Sequence, residues 1–371
     1  MNRLPVGAGH GRDTSHHLGA FHPTGVARGS DRQSSTVVGQ LTRRRLGGLG
    51  RTTRVDRDEY VDVVSRDSSG LTEYGDNIEG AASDIQRSLS SWFPSSTHPG
   101  GFAWELATGQ LPDKHAVARE AGEVVGWAAF SAEDSRVECA TGDTRTATLL
   151  AGWLLDTAGT STVSVAVYRE QSALRDLLTS QGFVDEQVPL AGLRHPAGDT
   201  GIRPPSGYRV RPLDEGEEPR RLHVHRAAWK PSNLPFTDDT GDGISPDAES
   251  RMDPEKFRRM QSSPLYRRDL DLVIEAADGS IAGSCTAWLD PSSGWVELEP
   301  LGIVPEHRRR GLAQVLALEV CRRAAGHGGR EVFINTAPLP YYRAPWEAYR
   351  KAGFTPALRG TRMRRPASRP S

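Results

Sequence analysis

The chain repeats one pattern of hairpin signals, and this repeat restricts its fold more than any other feature of the sequence. In the first copy, β-prone residues over 117–130 flank a tight turn at Gly122. In the second copy, residues 272–288 have the same pattern around an Asp-Gly turn, and its Gly279 lies 157 residues after Gly122. A turn former between two β-prone runs is a strong hairpin signal. The chain is therefore predicted to be an imperfect duplication.

Each copy continues in the same way, with a strand and then a helix that ends in Gly-Phe, over 163–183 and 332–354. A chain of 371 residues is also too long for one ordinary core. The Pro- and Gly-rich stretch 197–207 is typical of a connector between domains. We predict two mixed α/β domains, at 58–203 and 204–371.

The first 57 residues differ in composition from the rest. They hold ten arginines against three aspartates and show no apolar periodicity. Residues 1–57 are therefore predicted to be a disordered leader, which the folded body does not need.

The overall charge excludes some classes of partner. A net charge of −1 creates no field that would attract nucleic acid or an anionic membrane, and the longest apolar runs are too short for a membrane span. The three cysteines are far apart, and no signal peptide precedes the body. We expect a cytoplasmic protein with no bound metal and no nucleic-acid or membrane partner.

One turn in the second half has the chemistry of a phosphate site. A strand over 295–304 is followed by Arg308-Arg309-Arg310-Gly311, and a helix over 312–325 begins directly afterwards. A helix N-terminus offers free backbone N–H groups and a positive dipole end. Glycine permits a close approach of the backbone, and arginines can add charge-assisted hydrogen bonds. This turn predicts a site for a phosphate ester.

In this setting Arg308, Gly311 and Ala313 match the cofactor signature Arg/Gln-x-x-Gly-x-Gly/Ala of the GNAT N-acetyltransferase superfamily, which residues 205–366 resemble. The resemblance implies a mixed, mostly antiparallel sheet flanked by helices in each half. It also implies that acetyl-CoA is the cofactor, held between strands 295–304 and 331–335. The cofactor-binding residues that it implies are Ile303, Val304, Arg308, Arg309, Arg310, Gly311, Leu312, Ala313 and Asn335.

The same resemblance identifies candidate catalytic residues. Tyr349 begins a Tyr-x-x-x-Gly-Phe motif, and in the family this tyrosine lies near the thioester sulfur. A phenol can protonate a departing thiolate, so Tyr349 is the candidate general acid. Glu297 and Glu299 alternate onto one face of their strand and are both candidates for the general base. The resemblance favours Glu297, Glu299 is nearer the splayed strand end, and a chain of water molecules is a third possibility.

The first half lacks the cofactor signature. Residues 141–147 have an aspartate, Asp143, and no glycine where the signature requires one. This aspartate would repel a pyrophosphate. We therefore expect the first half to be a degenerate copy, with one acetyl-CoA bound per chain.

The acceptor is less well defined by the sequence. The resemblance implies a primary amine of a small molecule, and a homodimer is possible. Tandem chains of this kind include mycothiol synthase, so transfer to an amino sugar conjugate is one alternative, and a non-catalytic acyl-CoA sensor is another. The acidic stretch 238–249 nearly matches a calcium-binding loop, but the prolines around it favour an acidic cover over the acceptor site.

Overall fold

The structure is a computed structural model that describes residues 64–66, 70–75, 77–131, 134–229, 250, 252–336 and 343–367. The predicted leader and the acidic stretch 238–249 lie outside these residues. The strands are β1 Val64–Arg66, β2 Leu71–Tyr74, β3 Lys114–Glu120, β4 Glu123–Phe130, β5 Ser135–Cys139, β6 Val163–Tyr168, β7 Val184–Pro196, β8 Tyr208–Pro212, β9 Asp271–Ala276, β10 Ile281–Leu289, β11 Trp295–Ile303, β12 Glu331–Asn335 and β13 Thr355–Arg365. The helices are α1 Glu79–Trp92, α2 Pro99–Thr108, α3 Thr144–Ala158, α4 Ser172–Ser180, α5 Glu218–Ala228, α6 Pro254–Gln261, α7 Leu312–Gly326 and α8 Arg343–Lys351.

Both predicted hairpins are confirmed. β3 and β4 pair antiparallel around a turn in which Gly122 has φ of 89°. β9 and β10 pair in the same way, and there Gly279 has φ of 81°. Both values lie in the left-handed region, which glycine enters without the steric penalty of a Cβ atom. The turn residues therefore set the register of each hairpin.

All of the strands form one sheet, in the order β1-β2-β3-β4-β5-β6-β13-β7-β12-β11-β10-β9-β8. Parallel pairing occurs between β5 and β6 and between β11 and β12, and the other neighbours run antiparallel. The prediction of a mixed, mostly antiparallel α/β fold is confirmed.

The two halves exchange strands at the centre of this sheet. β7 belongs to the first half of the sequence, yet it pairs with β12 of the second half. β13 is the last strand of the chain, yet it pairs with β6 of the first half as well as with β7. Each half is thus completed by a strand from the other, and the predicted connector 197–207 lies between β7 and β8.

Helices cover both faces of the sheet. α3 and α4 pack on one face of the first half, as α7 and α8 do in the second half. On the other face, α1 and α2 cover the first half, while α5 and α6 cover the second. α2 contacts both halves, because Phe102 packs beside the first-half residue Trp127 and Trp104 packs beside the second-half residue Trp288.

Candidate functional site

The turn between β11 and α7 is held by side chains of its own arginines. A short 3-10 helix, Pro305–His307, leads into it. The Arg308 guanidinium folds back and donates to the carbonyl oxygens of Ile303, at 3.1 Å, and Ala228, at 3.2 Å. Arg308 therefore ties the turn to the end of α5, an arrangement that the sequence motif did not predict.

Hydrogen bonds also connect the turn to the edge strand β8. Arg310 donates to the Tyr208 hydroxyl oxygen at 3.0 Å, and this hydroxyl lies 2.9 Å from Nδ1 of His307. Since the hydroxyl accepts from Arg310, it can donate its own proton to His307. Arg309 is exposed. Of the three consecutive arginines, two therefore support the turn.

The backbone of the turn offers N–H donors that suit an anion. Arg309 and Gly311 have φ of 65° and 77°, and Gly311 is the N-cap of α7. No side chain caps this helix, so the first N–H groups of α7, beginning at Leu312 and Ala313, have no capping partner. Left-handed residues followed by an uncapped helix N-terminus form a concave set of N–H donors that suits a phosphate. The residues present thus fit the pyrophosphate that the sequence predicts.

The neighbouring strands separate beside this turn. β11 and β12 pair only from Trp295–Glu297 to Glu331–Phe333, and β11 then continues to Ile303. Among the described residues, the β12-facing edge of β11 has no strand partner beyond Glu297. The ladder between the two strands thus ends at Glu297, and the edge of β11 beyond it offers backbone groups that an extended ligand with amide bonds could pair with.

The two candidate carboxylates differ in their surroundings. Glu297 is only 4% exposed, and its Oε1 accepts a hydrogen bond from Nδ2 of Asn335 at 2.8 Å. Its Oε2 lies 3.5 Å from Nδ1 of His98, a residue of the first half. Glu299 is half-buried, and its backbone oxygen accepts from Nε1 of Trp288. The Asn335 amide, a predicted cofactor contact, is thus directed at Glu297.

Tyr349 lies on α8 with its side chain 6% exposed. Its ring centroid is 5.9 Å from that of Phe354, and both rings belong to the core between α7, α8 and the sheet. Gly353 lies between them with a φ of 91°, a left-handed conformation that is common for glycine at the end of a helix. The chain turns back at this glycine, so the ring of Phe354 packs against that of Tyr349.

The corresponding turn of the first half differs at the helix end. Asp143 is the N-cap of α3, and its Oδ1 accepts from the backbone N–H of Thr146 at 3.0 Å. The N-terminus of α3 therefore already carries a carboxylate of the chain itself. This contact gives a physical reason for the predicted lack of a second cofactor site, since a phosphate would have to displace an anionic cap.

His98, Gly101 and Tyr208 contribute to the site and were missed by sequence reasoning. His98 and Gly101 lie at the start of α2, and no motif connects this helix with β11, which is about two hundred residues away along the chain. Tyr208 was predicted to be in a strand, but nothing in its neighbourhood pointed to His307. Contacts at such sequence separation leave no local signal.

No group of three or more His, Cys, Asp or Glu side chains in the described part of the chain is arranged to hold a metal ion. None of the described helices has the length and apolar character needed to cross a membrane.

Residues 240–354 match the family model described as Acetyltransferase (GNAT) family. No curated protein matches the chain significantly.

Several solved structures are similar to this chain. One is a GCN5-related N-acetyltransferase from Sphaerobacter thermophilus, which is 18% identical, with 81% of this chain and 96% of that chain covered and a TM-score of 0.46. A tandem GNAT protein from the clavulanic acid biosynthesis pathway has 16% identity, coverage of 81% and 99%, and a TM-score of 0.48. A GNAT-family acetyltransferase from Colwellia psychrerythraea has 15% identity, coverage of 76% and 96%, and a TM-score of 0.49. The similarity to mycothiol synthase stays a hypothesis.

Proposed function

Because residues 240–354 of this chain carry a domain of the acetyltransferase (GNAT) family, we propose that the protein is an acetyl-CoA-dependent N-acetyltransferase that acts on a primary amine of a small molecule. The observation that carries the proposal is the uncapped N-terminus of α7, which lies beside the open edge of β11. A phosphate site next to an unpaired strand edge suits a long ligand that has a pyrophosphate and amide groups.

In this proposal the pyrophosphate is held by backbone N–H groups from Arg309 to Ala313, with Arg309 free to add a charge-assisted contact. Arg308 and Arg310 keep the turn in shape through their bonds to Ile303, Ala228 and Tyr208. The extended arm of the ligand lies along the open edge of β11, near Ile303 and Val304. When bound, acetyl-CoA supplies the thioester carbonyl that the amine attacks.

The amine must lose a proton before or during attack, and Glu299 is the better placed of the two carboxylates. Glu297 is buried and engaged with Asn335 and His98, whereas Glu299 is half-buried beyond the point where β11 and β12 separate. A base must come within hydrogen-bond reach of the proton that it accepts. We assign this role to Glu299, and Glu297 then holds Asn335 and the strand ends in position.

The leaving thiolate needs a proton donor, and Tyr349 is proposed for this role. A phenol has a reference pKa of about 10, near enough to that of a thiol for it to protonate a departing thiolate. The ring of Tyr349 packs against that of Phe354.

A thiol-release assay tests the proposed function. The purified chain is incubated with acetyl-CoA and a panel of amines that includes polyamines, amino acids and amino sugar conjugates, and the free thiol is measured. Amine-dependent thiol release with an acetylated product detected by mass spectrometry is the expected result. Release with an amino sugar conjugate alone would favour the mycothiol-synthase-like alternative. Tight binding of acetyl-CoA without transfer to any amine would favour the acyl-CoA sensor.

A further inference from the structure

His98 of the first half reaches the carboxylate of Glu297 in the second half. It is the N-cap of α2, and its Nδ1 accepts from the backbone N–H of Gly100 at 3.0 Å. Its Nε2 lies 3.3 Å from the carbonyl oxygen of Trp295. Its ring is 1% exposed, so these contacts are shielded from water.

These partners determine the tautomer of His98. A carbonyl oxygen can only accept, so Nε2 carries the hydrogen that points at Trp295. A backbone N–H can only donate, so Nδ1 presents its lone pair to Gly100. Both ring nitrogens are therefore engaged by the backbone, and Nδ1 also lies 3.5 Å from Oε2 of Glu297.

The Glu297 carboxylate lies against this side of the His98 ring. Its Oε2 is buried and accepts from no donor among the described residues, although the atom lies within ion-pair distance of His98. A buried carboxylate oxygen without a donor is costly, so the position of Glu297 depends on the groups that enclose Oε2.

Aromatic rings enclose the contact between His98 and Glu297. The rings of Phe93 and Phe333 lie 5.0 Å and 5.4 Å from the His98 ring, and they exclude water from it. Glu105 interacts electrostatically with Glu297, and Asp290 interacts with His98. Glu105 is paired with Arg136 at 2.6 Å and Asp290 accepts from Ser90 at 2.6 Å, so neither supplies a donor to Glu297.

Glu297 also joins the two strands where they separate. It is the last residue of β11 that pairs with β12, and its Oε1 bonds to Asn335, two residues beyond the last paired residue Phe333. The side chain therefore spans the base of the gap in which the acetyl donor is proposed to bind. Gly101 leaves room for it, since a Cβ there would lie 2.4 Å from Oε2.

We propose that His98 is a positioning residue for the acyl-transfer centre: by enclosing the buried carboxylate of Glu297, the first half of the chain fixes the base of the gap between β11 and β12. This inference rests on the proposed function. It gives the degenerate half a role in catalysis, because the active half is incomplete without His98.

Two substitutions of His98 distinguish its contact with Glu297 from its role as the N-cap of α2. Asparagine and aspartate are both good N-cap residues, so both His98→Asn and His98→Asp keep the helix start. Asparagine can donate a hydrogen bond to Glu297, whereas aspartate sets a second carboxylate against it. We expect kcat/KM for acetyl-CoA to fall about tenfold or more in His98→Asp, as is usual for a lost orienting contact, and to stay within about threefold of the parent in His98→Asn.

His115 provides the matched control. It is also a first-half histidine with 1% exposure, and its ring stacks on Trp127 away from Glu297. We expect His115→Asn and His115→Asp to lower the melting temperature and leave kcat/KM of the folded fraction unchanged. Parent-like kcat/KM in His98→Asp, or equal losses in His98→Asn and His98→Asp, would overturn the proposal.

A stability measurement separates this proposal from the proposed function. His98→Asp should lower the melting temperature, and a second change, Glu297→Gln, should restore most of the loss because the amide can donate to the new carboxylate. If Glu297→Gln restores the melting temperature in a chain that transfers no acetyl group, the contact between His98 and Glu297 is supported and the proposed function is rejected. If the two changes lower the melting temperature additively, the contact is rejected, whatever the acetyl-transfer activity.

Discussion

Tyr349 combines a packed ring with the hydroxyl that the proposed reaction needs. Tyr349→Phe keeps the ring packing against Phe354 and removes only the proton donor. We expect the Kd for acetyl-CoA to stay the same and kcat to fall about 100- to 10,000-fold, the usual contribution of a general acid. Calorimetry and thiol release measure the two quantities. Equal turnover in parent and variant would remove Tyr349 from the mechanism.

Arg221 and Asp271 form a buried ion pair behind the site. Their side chains are 2% and 0% exposed, with Nε of Arg221 3.1 Å from Oδ1 of Asp271, and Tyr266 donates to the other carboxylate oxygen. Asp271→Ala leaves a guanidinium buried without a counter-charge, so the free energy of unfolding should fall by about 3–5 kcal/mol.

Glu120 is the control for this prediction, because its pair with Arg145 is exposed, to 64% and 83%. Glu120→Ala should cost no more than about 1 kcal/mol, as is typical of surface pairs. Denaturant unfolding of both variants measures the difference. Similar losses in the two variants would contradict the assigned importance of the buried pair.

At the scale of elements, α3 and α7 begin in equivalent turns that differ in one respect. α3 is capped by Asp143, whereas α7 begins at Gly311 without a side-chain cap. The dipole of α3 is therefore already matched by an internal carboxylate, while that of α7 remains available to a ligand. This difference is the physical reason that we expect an anion to bind at the turn before α7 only.

Gly311 and Gly142 allow a matched test of that difference. Both have positive φ, 77° and 87°, and neither has atoms closely crowding an added Cβ. Replacing either with leucine should therefore strain the backbone to a similar degree. We expect Gly311→Leu to abolish acetyl-CoA binding by blocking the approach to the N–H groups, and Gly142→Leu to leave the affinity intact.

Calorimetry on the parent and both glycine variants gives stoichiometry and affinity together. One acetyl-CoA per chain is the expected value. Two equivalent sites, or loss of binding in Gly142→Leu, would show that the first half retains a cofactor site.

At the scale of the whole molecule, the exchange of β7 and β13 makes each half depend on the other. Expressed alone, residues 58–203 would lack β13 beside β6, and residues 204–371 would lack β7 beside β12. An unpaired strand edge in the middle of a sheet exposes backbone groups and apolar surface. We expect neither fragment to fold cooperatively alone, and co-expression to restore a complex with acetyl transfer.

Cleavage of the folded chain at an inserted protease site in the connector 197–207 serves as the control. The two pieces should remain associated, because their strands are already paired. Cooperative thermal unfolding of residues 204–371 alone, with parent-like transfer, would contradict the dependence of the halves on each other.

The sequence by itself determined the parts that depend on local chemistry. The two hairpins follow from turn residues between alternating apolar runs, and β12 is observed over the predicted range Glu331–Asn335. The turn from Arg308 to Ala313 was recognisable because phosphate binding needs neighbouring groups in one short segment. Tyr349 could be named for the same reason, since it belongs to a short motif.

Only the tertiary structure decided how these parts are joined. The exchange of β7 and β13 rests on backbone hydrogen bonds, which every non-proline residue can make and which therefore leave no residue pattern. The contact between His98 and Glu297 depends on α2 of one half lying against β11 of the other. Sequence periodicity shows which face of an element is buried, but the partner of that face is fixed by the arrangement of the whole chain.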